Sequence, residues 1–169
     1  VWVDRLSTGD QELRVNAVTP NTVSYDLWGT RQESNRDWNT ITYRPLTVAG
    51  ETPLTYAKPL MLYPFPLAPG KTWTQEVRWQ MREPAASGRT YLSGRLGEWQ
   101  NVTVPAGTFR AIEGVVKLRL IGRNAEGDVT TIRYWYAPSV NRFVKFHYDS
   151  QNDGTIVDSQ MVSYRPAKS

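Results

Sequence analysis

Residues 72–82 read TWTQEVRWQMR, and their side chains alternate in character. Trp73, Val77, Trp79 and Met81 fall on odd positions, and Thr72, Thr74, Glu76, Arg78, Gln80 and Arg82 on even ones. Successive side chains of a strand point to opposite faces, so this register gives one apolar face and one wet face. Residues 110–122 repeat the pattern, with Ile112, Val116, Leu118 and Leu120 set against Glu113, Lys117 and Arg119. Strand-like runs also occur near 13–18, 22–28, 39–44, 91–104, 129–136, 143–148 and 155–164, and no segment carries a capped 3.6-residue period. The chain is therefore expected to be all-β, a single antiparallel domain over 1–169 with about nine or ten strands and little or no helix. Strands as long as 110–122 leave aggregation-prone edges unless the sheet closes or its edges are covered. A strongly curved sheet or β-barrel is the first expectation, and a β-sandwich the alternative.

The punctuation suits hairpins. Asn124-Ala-Glu-Gly-Asp128 and Asn152-Asp-Gly-Thr155 separate pairs of strand-like runs, and Gly and Asn supply the positive φ of tight turns. Ala137-Pro-Ser-Val-Asn141 breaks the pattern once more. Pro105-Ala-Gly-Thr108 interrupts the run VTVPAGTF; Pro presets one turn dihedral and Gly frees another, so the interruption reads as a corner, not an active-site loop. Residues 72–164 thus form a regular meander. The first half is less regular. Thr30 to Trp38 is polar and reads as an exposed loop. Residues 53–70 hold five of the eleven prolines, among Leu54, Tyr56, Leu60, Met61, Leu62, Tyr63, Phe65 and Leu67. Proline this dense does not suit a central strand, and so much apolar surface does not suit water. The segment reads as a cover strapped across the sheet or a barrel mouth.

Charge and composition narrow the function classes. The net charge is +4, and the excess lies in residues 85–169, with eleven basic and seven acidic groups interspersed. Without a dense basic block, nucleic acid is not an expected partner. The absence of cysteine removes disulfides, thiolate metal ligands and a Cys nucleophile. No apolar run approaches the roughly 20 residues of a membrane-spanning helix.

Three segments point to a family. Gly97-Glu-Trp-Gln-Asn-Val-Thr-Val-Pro-Ala-Gly-Thr-Phe-Arg-Ala111 resembles the Gly-x-Trp-x-x-Val-x-Val-Pro-Ala-Gly-Thr-Phe-x-Ala run of uncharacterised exported proteins and lipoproteins of proteobacteria, a domain of unknown function. Trp135-Tyr-Ala-Pro-Ser-Val-Asn-Arg-Phe-Val-Lys145 is similar to their Trp-Tyr-Ala-Pro-x-Val-x-x-x-Val-Lys element, and Pro64 to Trp73 to their Pro-Leu-x-Pro-Gly-Lys-x-Trp lead-in. The likeness covers roughly residues 60–148. It implies an all-β fold and export to the periplasm or outer membrane of a Gram-negative bacterium, with a lipidated cysteine ahead of Val1 as the expected anchor. It brings no catalytic residues.

The residues themselves offer little chemistry. His147 is the one histidine, and a triad would need it with Asp149 or Asp158, yet no Gly-x-Ser-x-Gly elbow supplies a nucleophile. Asp149, Gln151, Asp153 and Gly154 half resemble a calcium loop, but Gln160 stands where the bidentate Glu belongs, so a hairpin turn is expected. No metal and no cofactor are expected. Seven Trp and nine Tyr remain. Met61, Phe65, Trp73, Trp79 and Trp135 are the expected lining of an apolar cavity under the cover. The function read from this is binding without catalysis, with an apolar or lipid-like ligand as partner and membrane association only through the anchor. A module docking an envelope protein or glycan through an aromatic strand face comes second. A hydrolase built on carboxylates or His147 comes third.

Overall fold

The computed structural model describes residues 2–46, 52–122, 125–151 and 154–165, with the side chains of 125–128 excepted. Twelve strands form one closed antiparallel barrel: β1 (Trp2–Leu6), β2 (Gly9–Val18), β3 (Thr22–Leu27), β4 (Thr30–Asn35), β5 (Thr40–Pro45), β6 (Leu54–Leu60), β7 (Thr72–Met81), β8 (Ala86–Val104), β9 (Gly107–Gly122), β10 (Ala125–Ala137), β11 (Arg142–Ser150) and β12 (Ile156–Tyr164). Each strand pairs with the next, and β12 closes onto β1. The barrel expectation holds and the sandwich does not. Closure is what removes the exposed edges that long alternating strands would otherwise leave. Among the described residues the helical structure is a single 3₁₀ turn at Pro138–Val140.

The alternation in the sequence sorts side chains between the two faces of the wall. Val77, Leu92, Leu96, Ile112, Val116 and Ile132 are buried in the main core. Glu76, Arg78, Arg89, Lys117 and Arg119 are exposed, and Arg89 pairs with Glu76 across the ladder at 2.9 Å. The outer face of β7, β8 and β9 is thus charged. Glycine permits tight curvature on the long strands. Trp73 lies over Gly94, Trp79 over Gly88 and Tyr134 over Gly114, each directly across the ladder. A Cβ at any of the three would run into the ring it faces. The Pro105-Ala106 corner is a two-residue turn between the paired Val104 and Gly107, and Ala106 N–H donates to the Met161 carbonyl at 3.1 Å. Around it Val102, Val104, Ala111, Ala137, Val140 and Val144 form a second, smaller core with Met161.

Two segments differ from the sequence reading. Thr30 to Trp38 is not a loop throughout, because Thr30–Asn35 is strand β4. Its alternate residues Thr30, Gln32 and Ser34 turn inward, where Tyr25 Oη donates to Gln32 Oε1 at 3.1 Å and pairs with Ser34 Oγ at 3.1 Å, while Arg31 is exposed and pairs with Asp26. The expected cover over 53–70 divides in two. Its first part is strand β6, in the barrel wall. Pro59 is tolerated there because the β6–β7 ladder holds only the Thr55–Gln80 and Tyr56–Trp79 pairs. Past them the Gln75 side chain replaces the ladder, accepting from Met61 N–H at 2.9 Å and donating to the Pro59 carbonyl at 3.0 Å. The second part, 61–71, plugs one end of the barrel. Tyr63 N–H donates to Asn39 Oδ1 at 2.8 Å, Asn39 Nδ2 donates back to the Tyr63 carbonyl at 3.0 Å, and Tyr134 Oη donates to the Leu62 carbonyl at 2.9 Å.

Candidate functional site

The barrel interior is not filled. A cavity of about 500 Å³ lies within it, a size typical of small-molecule sites. The topology fixes its two ends. The β2–β3, β4–β5, β6–β7, β8–β9 and β10–β11 connections lie at one end, with the start of β1 and the end of β12. There the plug supplies Leu62 and Tyr63 to a floor completed by Leu60 at the end of β6, Trp38 and Tyr136. The six other connections lie at the opposite end, where Leu54, Leu118, Leu120, Thr130 and Val157 line a partly open mouth. The lining is mainly aliphatic and aromatic, so water gains little by filling it and an apolar guest gains by leaving water.

One side of the lining is polar but internally satisfied. Beyond the Tyr25 contacts, Gln32 Nε2 donates to Thr30 Oγ1 at 3.1 Å, and Thr30 Oγ1 donates to the Leu27 carbonyl at 2.7 Å. Burial pushes the phenols up: Tyr56 and Tyr136 to about 12, and Tyr63 well above its ordinary value. They are neutral at physiological pH. Near the floor Arg142, itself a lining residue, meets Asp4 of β1 with Nη1 to Oδ1 at 3.1 Å and Nη2 to Oδ2 at 2.5 Å. Each side chain of this pair is 1% exposed. The guanidinium carbon also stands 4.3 Å from the Phe143 ring centre.

None of the five aromatic and sulfur residues expected to line the cavity does so. Met61 and Phe65 lie on the plug, each 37% exposed, with Phe65 edge-on to Tyr136 at 5.4 Å. Trp73 anchors that plug, its indole N–H donating to the Met61 carbonyl at 2.8 Å. Trp79 is buried but is turned onto Gly88, away from the cavity. Trp135 packs on the second core, with Lys145 Nζ 4.8 Å from its ring centre. The lining comes instead from Trp28, Trp38, Tyr25, Phe143 and Phe146. Strict alternation would put Phe143 on the face of His147, opposite Phe146. A bulge pairs Trp135 with Lys145 and Tyr136 with Phe143, which returns Phe143 and Phe146 to one side. Arg142 and Asp4 escaped the sequence reading because they stand 138 residues apart. Their one local signal is a charge set beside apolar strand residues, Trp2-Val3-Asp4 and Arg142-Phe-Val144.

Among the described residues neither His147 nor the calcium-like stretch is part of an assembled site. His147 Nδ1 lies 2.8 Å from Asp158 Oδ1, but this is an exposed cross-strand pair. No group of three or more His, Asp or Glu converges among the described residues. In the calcium-like stretch Asp153 lies outside the described residues, Asp149 is part of β11, and Gln160 sits in β12 opposite Lys145.

No family model and no curated protein matches the sequence. Solved structures do match. The hypothetical lipoprotein YmcC of Escherichia coli K12 superposes with a TM-score of 0.55 at 8% identity, over 96% of this chain and 85% of that one. The fold is shared. A candidate lipoprotein of Parabacteroides distasonis gives a TM-score of 0.50 at 13% identity, over 97% and 94%. A candidate exported protein of Bacteroides fragilis with a YmcC-like fold gives 0.48 at 12% identity, over 98% and 94%. At these identities the likeness is one of architecture.

Proposed function

We propose that this chain is an exported cell-envelope protein that acts by binding, holding an apolar, lipid-like ligand inside its barrel, and that it has no catalytic activity. The observation that carries the reading is the cavity of about 500 Å³, closed at one end by the 61–71 plug and lined by aliphatic and aromatic side chains. Burying an apolar guest there removes surface from water at no cost to the wall's own hydrogen bonds. The envelope location is supported by the lipoprotein and export descriptions of the structures that share the fold. It agrees with the family resemblance of residues 60–148.

The test is native mass spectrometry on protein expressed into the periplasm and purified without detergent. A lipid-sized adduct is expected, and it should be lost when the mouth is filled by Thr130→Trp or charged by Leu118→Lys. A bare mass from the unaltered protein sinks the reading.

A further inference from the structure

The outer wall carries its charge unevenly. Where Thr72–Met81 of β7, Ala86–Arg95 of β8 and 115–121 of β9 run side by side, Arg78, Arg89, Arg95, Lys117 and Arg119 are exposed. Glu76 is the carboxylate of this stretch, and Arg89 already holds it at 2.9 Å. Among the described residues Arg78, Arg95, Lys117 and Arg119 form no ion pair. Toward the plug the charges balance again, with Glu98 against Arg110, and Glu113 held by Arg133 at 3.2 Å. Arg78 also stands directly across the ladder from Arg89. Like charges so placed weaken a sheet. The β1–β4 wall has the opposite arrangement, pairing Arg5 with Asp10 and Arg31 with Asp26 across their ladders at 2.8 Å each.

Two further features say what these cations meet. A recess of about 430 Å³ beside the short β6–β7 ladder is lined by Thr55, Arg78, Gln80, Ser87 and Arg89. Guanidinium, amide and hydroxyl groups thus border one space, a set suited to phosphate oxygens. Apolar side chains are interleaved with the cations: Ile121, 40% exposed, lies across from Arg89, and Tyr91, 36% exposed, across from Arg119. A soluble polyanion would leave Ile121 in water, whereas the boundary between headgroups and acyl chains takes both kinds of side chain. The face runs about 20 Å from Arg89 to Arg95 along β8 and about 10 Å from β7 to β9, which makes it a surface and not a single-ion site. Leu118 and Leu120, on either side of Arg119, line the cavity mouth.

Resting on the envelope reading above, we infer that the outer face of β7–β9 docks onto an anionic phospholipid surface, with Arg78, Arg89 and Arg119 on phosphate groups and Ile121 at the headgroup–acyl boundary. The barrel lies on the bilayer by this face, with its mouth rim close to the lipid. This contact is additional to the anchor expected from the sequence.

Co-sedimentation of the whole chain with vesicles tests this, using phosphatidylcholine alone and an equal mixture of phosphatidylcholine and phosphatidylglycerol. The mixed vesicles should bind at least about 100-fold more tightly, since each unpaired cation near an anionic surface contributes about fivefold. Arg78→Gln with Arg119→Gln should weaken that binding about 25-fold. Arg14→Gln with Arg36→Gln removes the same charge from exposed positions outside this face and should change it less than about threefold. Ile121→Ser should weaken it about threefold with the charge unchanged. Equal binding to the two kinds of vesicle, or an equal loss from the two double variants, overturns the inference. So does binding of inorganic polyphosphate or duplex DNA by a protein that stays off both vesicles, which assigns the face to a soluble polyanion. These outcomes leave the cavity reading standing, because the bound mass is measured without vesicles. A bare mass there, with vesicle binding intact, overturns the cavity reading alone.

Discussion

Asp4→Leu leaves the Arg142 guanidinium charged at a site where it is 1% exposed, and takes away the carboxylate that both of its terminal nitrogens bond. Breaking a buried pair by removing one partner costs about 3–5 kcal/mol, because the survivor keeps its desolvation penalty and loses its compensation. Against a total stability of about 5–15 kcal/mol this is a large fraction. With a urea slope of roughly 2 kcal/mol/M, the unfolding midpoint should fall by about 2 M. Position adds to the effect. Asp4 lies on β1 and Arg142 on β11, with β12 between them, so the pair spans the strand that closes the barrel. Arg142→Met should cost a comparable amount by stranding Asp4. The double variant, Asp4→Leu with Arg142→Met, should return to within about 1 kcal/mol of the unaltered protein or exceed it, since apolar replacement of a whole buried pair is often neutral or favourable. Urea titrations of the four proteins, followed by near-UV circular dichroism, close the cycle. Single losses below about 1 kcal/mol, or a double loss equal to the sum of the singles, would refute the claim that the charges are desolvated and coupled.

Gly114→Ala should destabilise by about 2–3 kcal/mol, because a Cβ there overlaps the fully buried Tyr134 ring, whose hydroxyl holds the plug. Gly97→Ala, whose Cβ would meet Glu113 Oε2 at 3.3 Å and the Glu113 Cβ and carbonyl at the ordinary contact distances of 3.5 and 3.8 Å, should change the urea midpoint little, and equal effects at the two sites would count against the ring-on-glycine account. The phenols of Tyr56 and Tyr136, held up to about 12 by burial, make the fold sensitive to alkali. Their folded values exceed the unfolded value near 10, so this stability is fully present below about pH 10 and is lost as pH rises through about 12, by about 1.4 kcal/mol per pH unit for each phenol that unfolding releases. Tyrosinate absorbance rising fully near pH 10, with near-UV dichroism intact, would contradict it.

Much of the wall is legible in the chain. Side-chain alternation is a local consequence of extended backbone, so β7 and β9 can be read without knowing their neighbours. The turn at Pro105-Ala106 is legible for the same reason, since Pro and Gly constrain their own dihedrals. Strand β4 is hidden because its polar residues look solvated until Tyr25, from the adjacent strand, is seen to bond them. Strand β6 is hidden because Pro59 argues against a ladder, and the substitute donor and acceptor come from the Gln75 side chain, sixteen residues on.

The cavity belongs to the tertiary structure alone. Its lining depends on which end the plug closes, where bulges shift the register, and which aromatics turn onto glycines instead of into the lumen. Phe143 joins Phe146 only through a bulge, and the Trp79 ring lies over Gly88 across the ladder and does not line the cavity. The sequence by itself determined that the chain forms long, half-buried antiparallel strands, since that information is written at a spacing of two residues. Closure, the plug and the Asp4–Arg142 pair were decided by the fold. They join residues that no local pattern relates, and they exist only once twelve strands have been brought into register around a common axis.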